Sequence, residues 1–124
     1  MVDHVLVVDD EQDLVASYER LLRRQGYRVI ARGSRQDGLA VIAQEPLVLV
    51  IADLRLPDGD GLDVIRAARH ARTPIPAIVV TGFGAAASRQ AALAAGAFVY
   101  LAKPFAAADF TAAVQQAVGR SVSS

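Results

Sequence analysis

Five polar side chains stand directly after runs of apolar residues, and their types suit metal and phosphoryl chemistry. "HVLVV" (4–8) runs into Asp9 and Asp10, "LVLVIA" (47–52) into Asp53, "AIVV" (77–80) into Thr81 and "AFVYLA" (97–102) into Lys103. Taken singly, each has an ordinary reading, since carboxylates favour helix N-termini and aspartate is common in loops. Three carboxylates in one small site repel one another, so either their pKa values rise or a cation compensates. An all-oxygen donor set with few carboxylates and open positions suits a hard ion, and Mg2+ that retains waters fits it. Such an ion can neutralise an incoming phosphoryl group, and a carboxylate can then act as nucleophile to form an aspartyl-phosphate. Lys103 would pair with the phosphoryl oxygens and the Thr81 hydroxyl would donate to one of them, because in-line transfer needs mainly positioning and charge stabilisation. Lys103 is the one lysine beside twelve arginines, which argues for a compact point charge at that place.

The elements that must bring these residues together are legible as a pattern. The four runs above and "YRVIA" (27–31) are rich in Val and Ile, and three of the five lack alternation. That is the signature of strands covered on both faces, hence of a parallel sheet between helices. Between them lie helix-period segments. Leu14, Val15, Tyr18, Leu21 and Leu22 form one stripe, closing near Gly26 as a C-cap. Ser34 and Asp37 resemble a capping box that opens a second helix with Leu39 and Ile42 on its apolar face. Leu62, Ile65 and Ala68 mark a third. Residues 85 to 95 are nearly all alanine, with Leu93 the only large apolar side chain, so this fourth helix is expected to bury little and to be the loosest. Phe110, Val114, Ala117 and Val118 mark a fifth. Five strands alternating with five helices give an α/β, doubly wound domain, a five-stranded parallel sheet of flavodoxin-like order 2-1-3-4-5. Ligands of such sheets bind at the C-terminal rim where the winding reverses, here between the first and third strands. Asp9, Asp10 and Asp53 are expected there, with Thr81 and Lys103 one and two strands further on.

Size and composition narrow the class. A length of 124 residues suits one domain, placed at 1–120 with a disordered tail at 121–124, and 53% hydrophobic residues suffice for a core. Zero formal net charge leaves no broad footprint for nucleic acid or anionic membrane. Without cysteine there is neither a disulfide framework nor a thiolate metal site. The longest apolar run is far too short to span a bilayer, and the N-terminus lacks the basic region and cleavage site of a signal peptide, so a cytoplasmic protein is expected. "PDGDG" (57–61) has the look of a calcium loop, but Leu62 takes the next ligand position and no glutamate closes it.

The chain resembles the receiver domains of two-component response regulators, in the manner of chemotaxis receivers, over essentially its whole length. The marks are the acidic pair Asp9–Asp10, "DLRLPDGDG" with Asp53, Pro57 and Gly61, "VVTG" with Thr81, and "YLAKPF" with Tyr100, Lys103 and Pro104. The resemblance implies Asp53 as phospho-acceptor, Asp10 and Asp53 as direct Mg2+ ligands, Asp9 acting through water, and the Arg55 backbone carbonyl completing the protein ligands. It implies Thr81 and Tyr100 as a switch pair and a cis bond between Lys103 and Pro104. The donor would be a histidine kinase or a histidine phosphotransfer protein, and the output a surface of helix 4, strand 5 and helix 5 that meets an effector or a second copy. No enzymatic turnover is implied beyond slow self-phosphorylation and self-dephosphorylation. Phe83, bulkier than many members carry at that place, bears on the path of attacking water. Glu11 reads as first-turn charge and His70 as a helix-end residue.

Three other readings stand beside this one. A receiver used only for protein contacts would need no phosphorylation, but the site is complete. A phosphohydrolase resembling the haloacid-dehalogenase superfamily would use Asp9 as nucleophile, with Glu11 standing where that family has a second aspartate. A flavodoxin-like flavin or nucleotide binder would need a phosphate loop where this chain has acids.

Overall fold

The computed structural model describes residues 3–82 and 86–122. Five strands form the main sheet: β1 (His4–Val8), β2 (Arg28–Arg32), β3 (Leu49–Ala52), β4 (Ala77–Thr81) and β5 (Val99–Ala102). Their order is β2-β1-β3-β4-β5 and every pairing is parallel, as the unbroken Val/Ile runs require. The helices are α1 (Gln12–Arg24), α2 (Arg35–Gln44), α3 (Leu62–Arg69), α4 (Ala86–Ala95) and α5 (Ala107–Val122). A two-residue antiparallel hairpin, Arg55–Leu56 against Gly59–Asp60, sits between β3 and α3. The sequence pattern gave no sign of it.

Period-two alternation sends neighbouring strand residues to opposite faces. Leu6, Val8, Val50 and Val79 pack under α2, α3 and α4 with Val41, Ile65 and Ala92. Val5, Val7, Ile51 and Val80 pack under α1 and α5 with Tyr18, Leu22 and Phe110. β1 from Val5 onward and β3 throughout have no solvent exposure, so the two strands that carry the acids are packed on both faces.

Local signals explain the helix ends. Gly26 adopts φ +94°, and the bonds Gly26 N–H to Arg23 O and Tyr27 N–H to Leu22 O, both 3.0 Å, close α1 in a Schellman motif. Ser34 caps α2 by accepting from the Asp37 N–H at 3.2 Å. His70 closes α3 as expected. α5 continues through Val122, two residues into the segment expected as a tail, and Ser123 and Ser124 lie outside the described residues.

α4 is thinner in burial than its sequence suggested. Leu93, its one large apolar side chain, faces outward and is 43% exposed, leaving Ala92 and Ala95 as the buried residues among those whose side chains are described. Two methyl groups bury far less apolar surface than the Phe110, Val114 and Ala117 stripe of α5. Amide exchange measured by mass spectrometry should therefore show α4 opening before α5; equal protection would contradict it. On the other face Tyr18, Phe105 and Phe110 stack with centroids 5.2 to 5.9 Å apart. The Tyr18 hydroxyl is buried there without a hydrogen-bond partner among the described residues. Tyr18→Phe keeps the stack and removes the unpaired group, so it should stabilise the fold by about 1 kcal/mol in urea unfolding.

Candidate functional site

The site residues are held by an extension of the sheet's own hydrogen bonding. The Asp53 N–H donates to Val8 O at 3.0 Å, the Asp9 N–H to Arg32 O at 3.0 Å, and the Lys103 N–H to Thr81 O at 2.8 Å. Each residue past a strand end is thereby fixed to the neighbouring strand. All five side chains singled out in the sequence, Asp9, Asp10, Asp53, Thr81 and Lys103, stand on the C-terminal rim. Asp9, Asp53 and Thr81 are buried, and Asp10 is exposed.

Lys103 is the centre of the cluster. Its Nζ lies 2.8 Å from Asp53 Oδ2, 3.0 Å from Asp9 Oδ2 and 3.0 Å from Glu11 Oε1. The remaining oxygens are also engaged: Asp53 Oδ1 accepts from the Arg55 N–H at 3.1 Å, and Asp9 Oδ1 from the Glu11 N–H at 2.9 Å. Carboxylate oxygens of Asp9, Asp10 and Asp53 lie within 4.8 Å of one another. Burial pushes the Asp9 carboxyl up from the usual range, against the pull of the Glu11 N–H and of Lys103. For Lys103 burial works against the charge, but hydrogen bonds to Asp53, Asp9 and Glu11 together hold its pKa above the usual lysine range. The ammonium therefore stays charged at neutral pH. Three acids, at 9, 11 and 53, meet one lysine, Asp10 stands within 4.8 Å of Asp9 and Asp53, and a hard divalent cation would fit this oxygen donor set. The residues present could hold such an ion.

The Asp53 carboxylate faces the acids that follow the first strand, and its side chain keeps 8% exposure beneath Lys103. Thr81 and Tyr100 lie on one side of the sheet: Tyr100 pairs in register with Val79, two residues before Thr81, and packs into the core beneath α2, α3 and α4. Tyr100 is half-buried. The Lys103–Pro104 peptide is cis, as the resemblance implied. Phe83 lies outside the described residues. Gly61 is required by space, since an added Cβ would overlap the Asp53 carbonyl. A cavity of about 680 Å³ lined by Arg69, Pro74, Leu93 and Phe98 opens at the opposite rim and holds no acidic or nucleophilic side chain.

Three acids do more than the sequence suggested. Glu11 is the N-cap of α1 but makes no capping bond with its side chain, because the carboxylate turns to Lys103. Its place two residues after Asp9 was the available signal. The acids of "PDGDG" are capping groups: Asp60 Oδ1 accepts from the Leu62 N–H at 2.8 Å at the start of α3, and Asp58 accepts from the first turn of α2.

Comparison with known proteins agrees with this geometry. Residues 5–115 match the response regulator receiver domain family, and the chain belongs to that family. It is 36% identical over 110 residues to the photosynthetic apparatus regulatory protein RegA of Rhodovulum sulfidophilum, covering 89% of this chain and 60% of that protein. It is 39% identical over 118 residues to the acid tolerance regulatory protein ActR of Rhizobium meliloti, covering 95% of this chain and 61% of that protein. The chain thus spans about 60% of the length of the curated relatives it matches. Among solved structures, the CheY-like receiver domain protein of Methanospirillum hungatei superposes with a TM-score of 0.92 at 28% identity, over 99% of this chain and 98% of that one. The protein is a receiver domain of two-component signalling, and among its described residues no helix is long and apolar enough to cross a membrane.

The Lys103 network gives a direct stability test. Lys103→Ala strips the counter-charge from two buried carboxylates and should cost about 3 kcal/mol in urea unfolding without divalent ions. A loss near zero would place the contacts among ordinary surface ion pairs.

Proposed function

We propose that Asp53 is the phospho-acceptor of this receiver, charged by a histidine kinase or a histidine phosphotransfer protein in the cytoplasm. What chiefly supports this is the Asp53 carboxylate itself: it ends a buried strand, faces Asp9 and Asp10, and is aimed by the Lys103 ammonium at 2.8 Å and the Arg55 N–H at 3.1 Å. Asp10, Asp53 and the Arg55 carbonyl would hold Mg2+ directly, and Asp9 would act through water. Bound there, Mg2+ supplies the positive charge that screens the phosphoryl oxygens.

An Asp53 carboxylate oxygen attacks phosphorus in line. The bond from phosphorus to the donor imidazole breaks, its electron pair returns to the ring nitrogen, and the aspartyl-phosphate forms. Lys103 exchanges its contact with Asp53 for one with a phosphoryl oxygen. The Thr81 hydroxyl closes on another, and Tyr100, on the same side of the sheet, turns inward into the space that Thr81 vacates. The added charge and acceptor oxygens bias α4, β5 and α5 as the output surface, for an effector or a second copy. The domain is a switch and not a turnover enzyme, with at most slow self-phosphorylation from small donors and slow self-dephosphorylation.

Incubation with acetyl phosphate and Mg2+, followed by intact mass measurement, should reveal one hydroxylamine-labile phosphoryl adduct that Asp53→Asn abolishes. A wild-type protein left without an adduct by both small donors and a phosphohistidine donor protein would overturn the assignment.

A further inference from the structure

The first turn of α2 is capped from outside its own segment. Its leading amides, at Arg35 and Gln36, donate to Asp58 Oδ1 at 2.7 Å and Oδ2 at 2.9 Å. The next amide, Asp37, donates to Ser34 Oγ, and that of Gly38 to Ser34 O. Three of the donors that a helix leaves open at its start are thus matched, two of them by a residue more than twenty positions away, and the Gly38 bond is the first within the helix itself. The bonds from Gln36 and Arg35 hold the Asp58 carboxyl below its usual range although it is exposed.

Asp58 sits at the tip of the hairpin whose first residue is Arg55. A continuous chain of contacts runs from α2 through Asp58 and the pairs Leu56–Gly59 and Arg55–Asp60 to the Arg55 N–H, which bonds Asp53 Oδ1. The Arg35 side chain lies across Gly59, where an added Cβ would meet its Cδ at 2.8 Å, and its Nε reaches Asp63 Oδ2 at 2.8 Å. That ion pair is about one third exposed and contributes little. The paired backbone bonds at Asp58 are the stronger tie, because a carboxylate at a helix start gains from both hydrogen bonds and the dipole.

We infer that Asp58 is a positioning residue for the metal site: by clamping the hairpin to α2 it fixes the Arg55 backbone that both orients Asp53 and is to ligate the ion. The inference rests on the metal site proposed above. A hairpin of two-residue strands has almost no stability of its own. Released from α2, it would sample orientations in which the Arg55 carbonyl and the Asp53 carboxylate no longer face one ion.

Asp58→Ala and Ser34→Ala separate positioning from helix stability, since both remove caps from α2 and only the first frees the hairpin. Magnesium titration by calorimetry should show Asp58→Ala weakening Mg2+ binding by roughly tenfold, the lower end of what partners of metal ligands cost. Asp58→Asn, which keeps one acceptor, should fall between. Ser34→Ala should lower the melting temperature and leave Mg2+ affinity unchanged. Amide exchange over Arg55–Asp60 should quicken in Asp58→Ala alone. Equal Mg2+ affinity in wild type and Asp58→Ala overturns the inference, as does an equal loss in Ser34→Ala. A wild-type protein that takes up no Mg2+ removes the metal site itself, and the inference with it.

Discussion

One ammonium group shared by three carboxylates, with a fourth close beside two of them, is the constraint on which this molecule is built. At an effective dielectric near 20, two like charges about 4 Å apart repel by about 4 kcal/mol. Asp9, Asp10 and Asp53 have oxygens within 4.8 Å of each other, and Lys103 stands against Asp9 and Asp53. It also holds Glu11. The arrangement keeps the fold intact while leaving negative charge uncompensated on the rim. A structure of this kind is primed for further positive charge, and the phosphoryl group it is proposed to receive needs such charge in order to approach a carboxylate at all.

Holding acids that close requires a frame that does not yield. β1 and β3 are buried on both faces, and the ladder runs past their ends through the Asp53-to-Val8 and Asp9-to-Arg32 bonds. The acids follow their strands without an intervening loop, so repulsion between them cannot be relieved by backbone drift. It is met by Lys103, by two backbone N–H donors and by the upward shift of Asp9. Lysine suits the centre better than arginine: three tetrahedrally placed donors can reach three separate carboxylates, whereas a planar fork favours one. The single lysine of an arginine-rich chain stands where that geometry is needed.

The frame and the site were legible in the sequence for the same reason. Unbroken Val/Ile runs can only be doubly covered strands, and parallel strands deliver whatever follows them to a common rim. Asp9, Asp53, Thr81 and Lys103 could be placed together from four strand ends without knowing any distance. Contacts that depend on how a loop folds were not legible. Glu11 meets Lys103 across 92 positions of chain, and nothing in "DDEQD" distinguishes a carboxylate turned inward from one capping α1. Asp58 and Asp60 lie in "PDGDG", which in the sequence has only the look of a calcium loop; that they cap two different helices follows only from a hairpin too short to leave a periodic trace. Which way Leu93 faces was not legible either. In a helix whose inner face is alanine, close approach to the sheet leaves no room for a leucine, and the large side chain is the one that faces out.

These differences in burial decide where a disturbance at Asp53 can go. β1, β3 and the core beneath α1 and α5 have no free volume to give and carry the aromatic stack of Tyr18, Phe105 and Phe110. α2 is tied to the hairpin by Asp58, and α3 starts on the Asp60 cap. α4 has only two small buried side chains among those described, and its C-terminal end is held by Arg69 Nη1 on the Ala94 carbonyl at 3.2 Å, packed against Gly96 at φ +114°. A helix fixed at its far end and weakly buried along its length rotates about that end at little cost. Charge added at Asp53 would therefore face a rigid frame in β1, β3, α1 and α5, and its thinnest packing in the α4 face that buries Ala92 and Ala95.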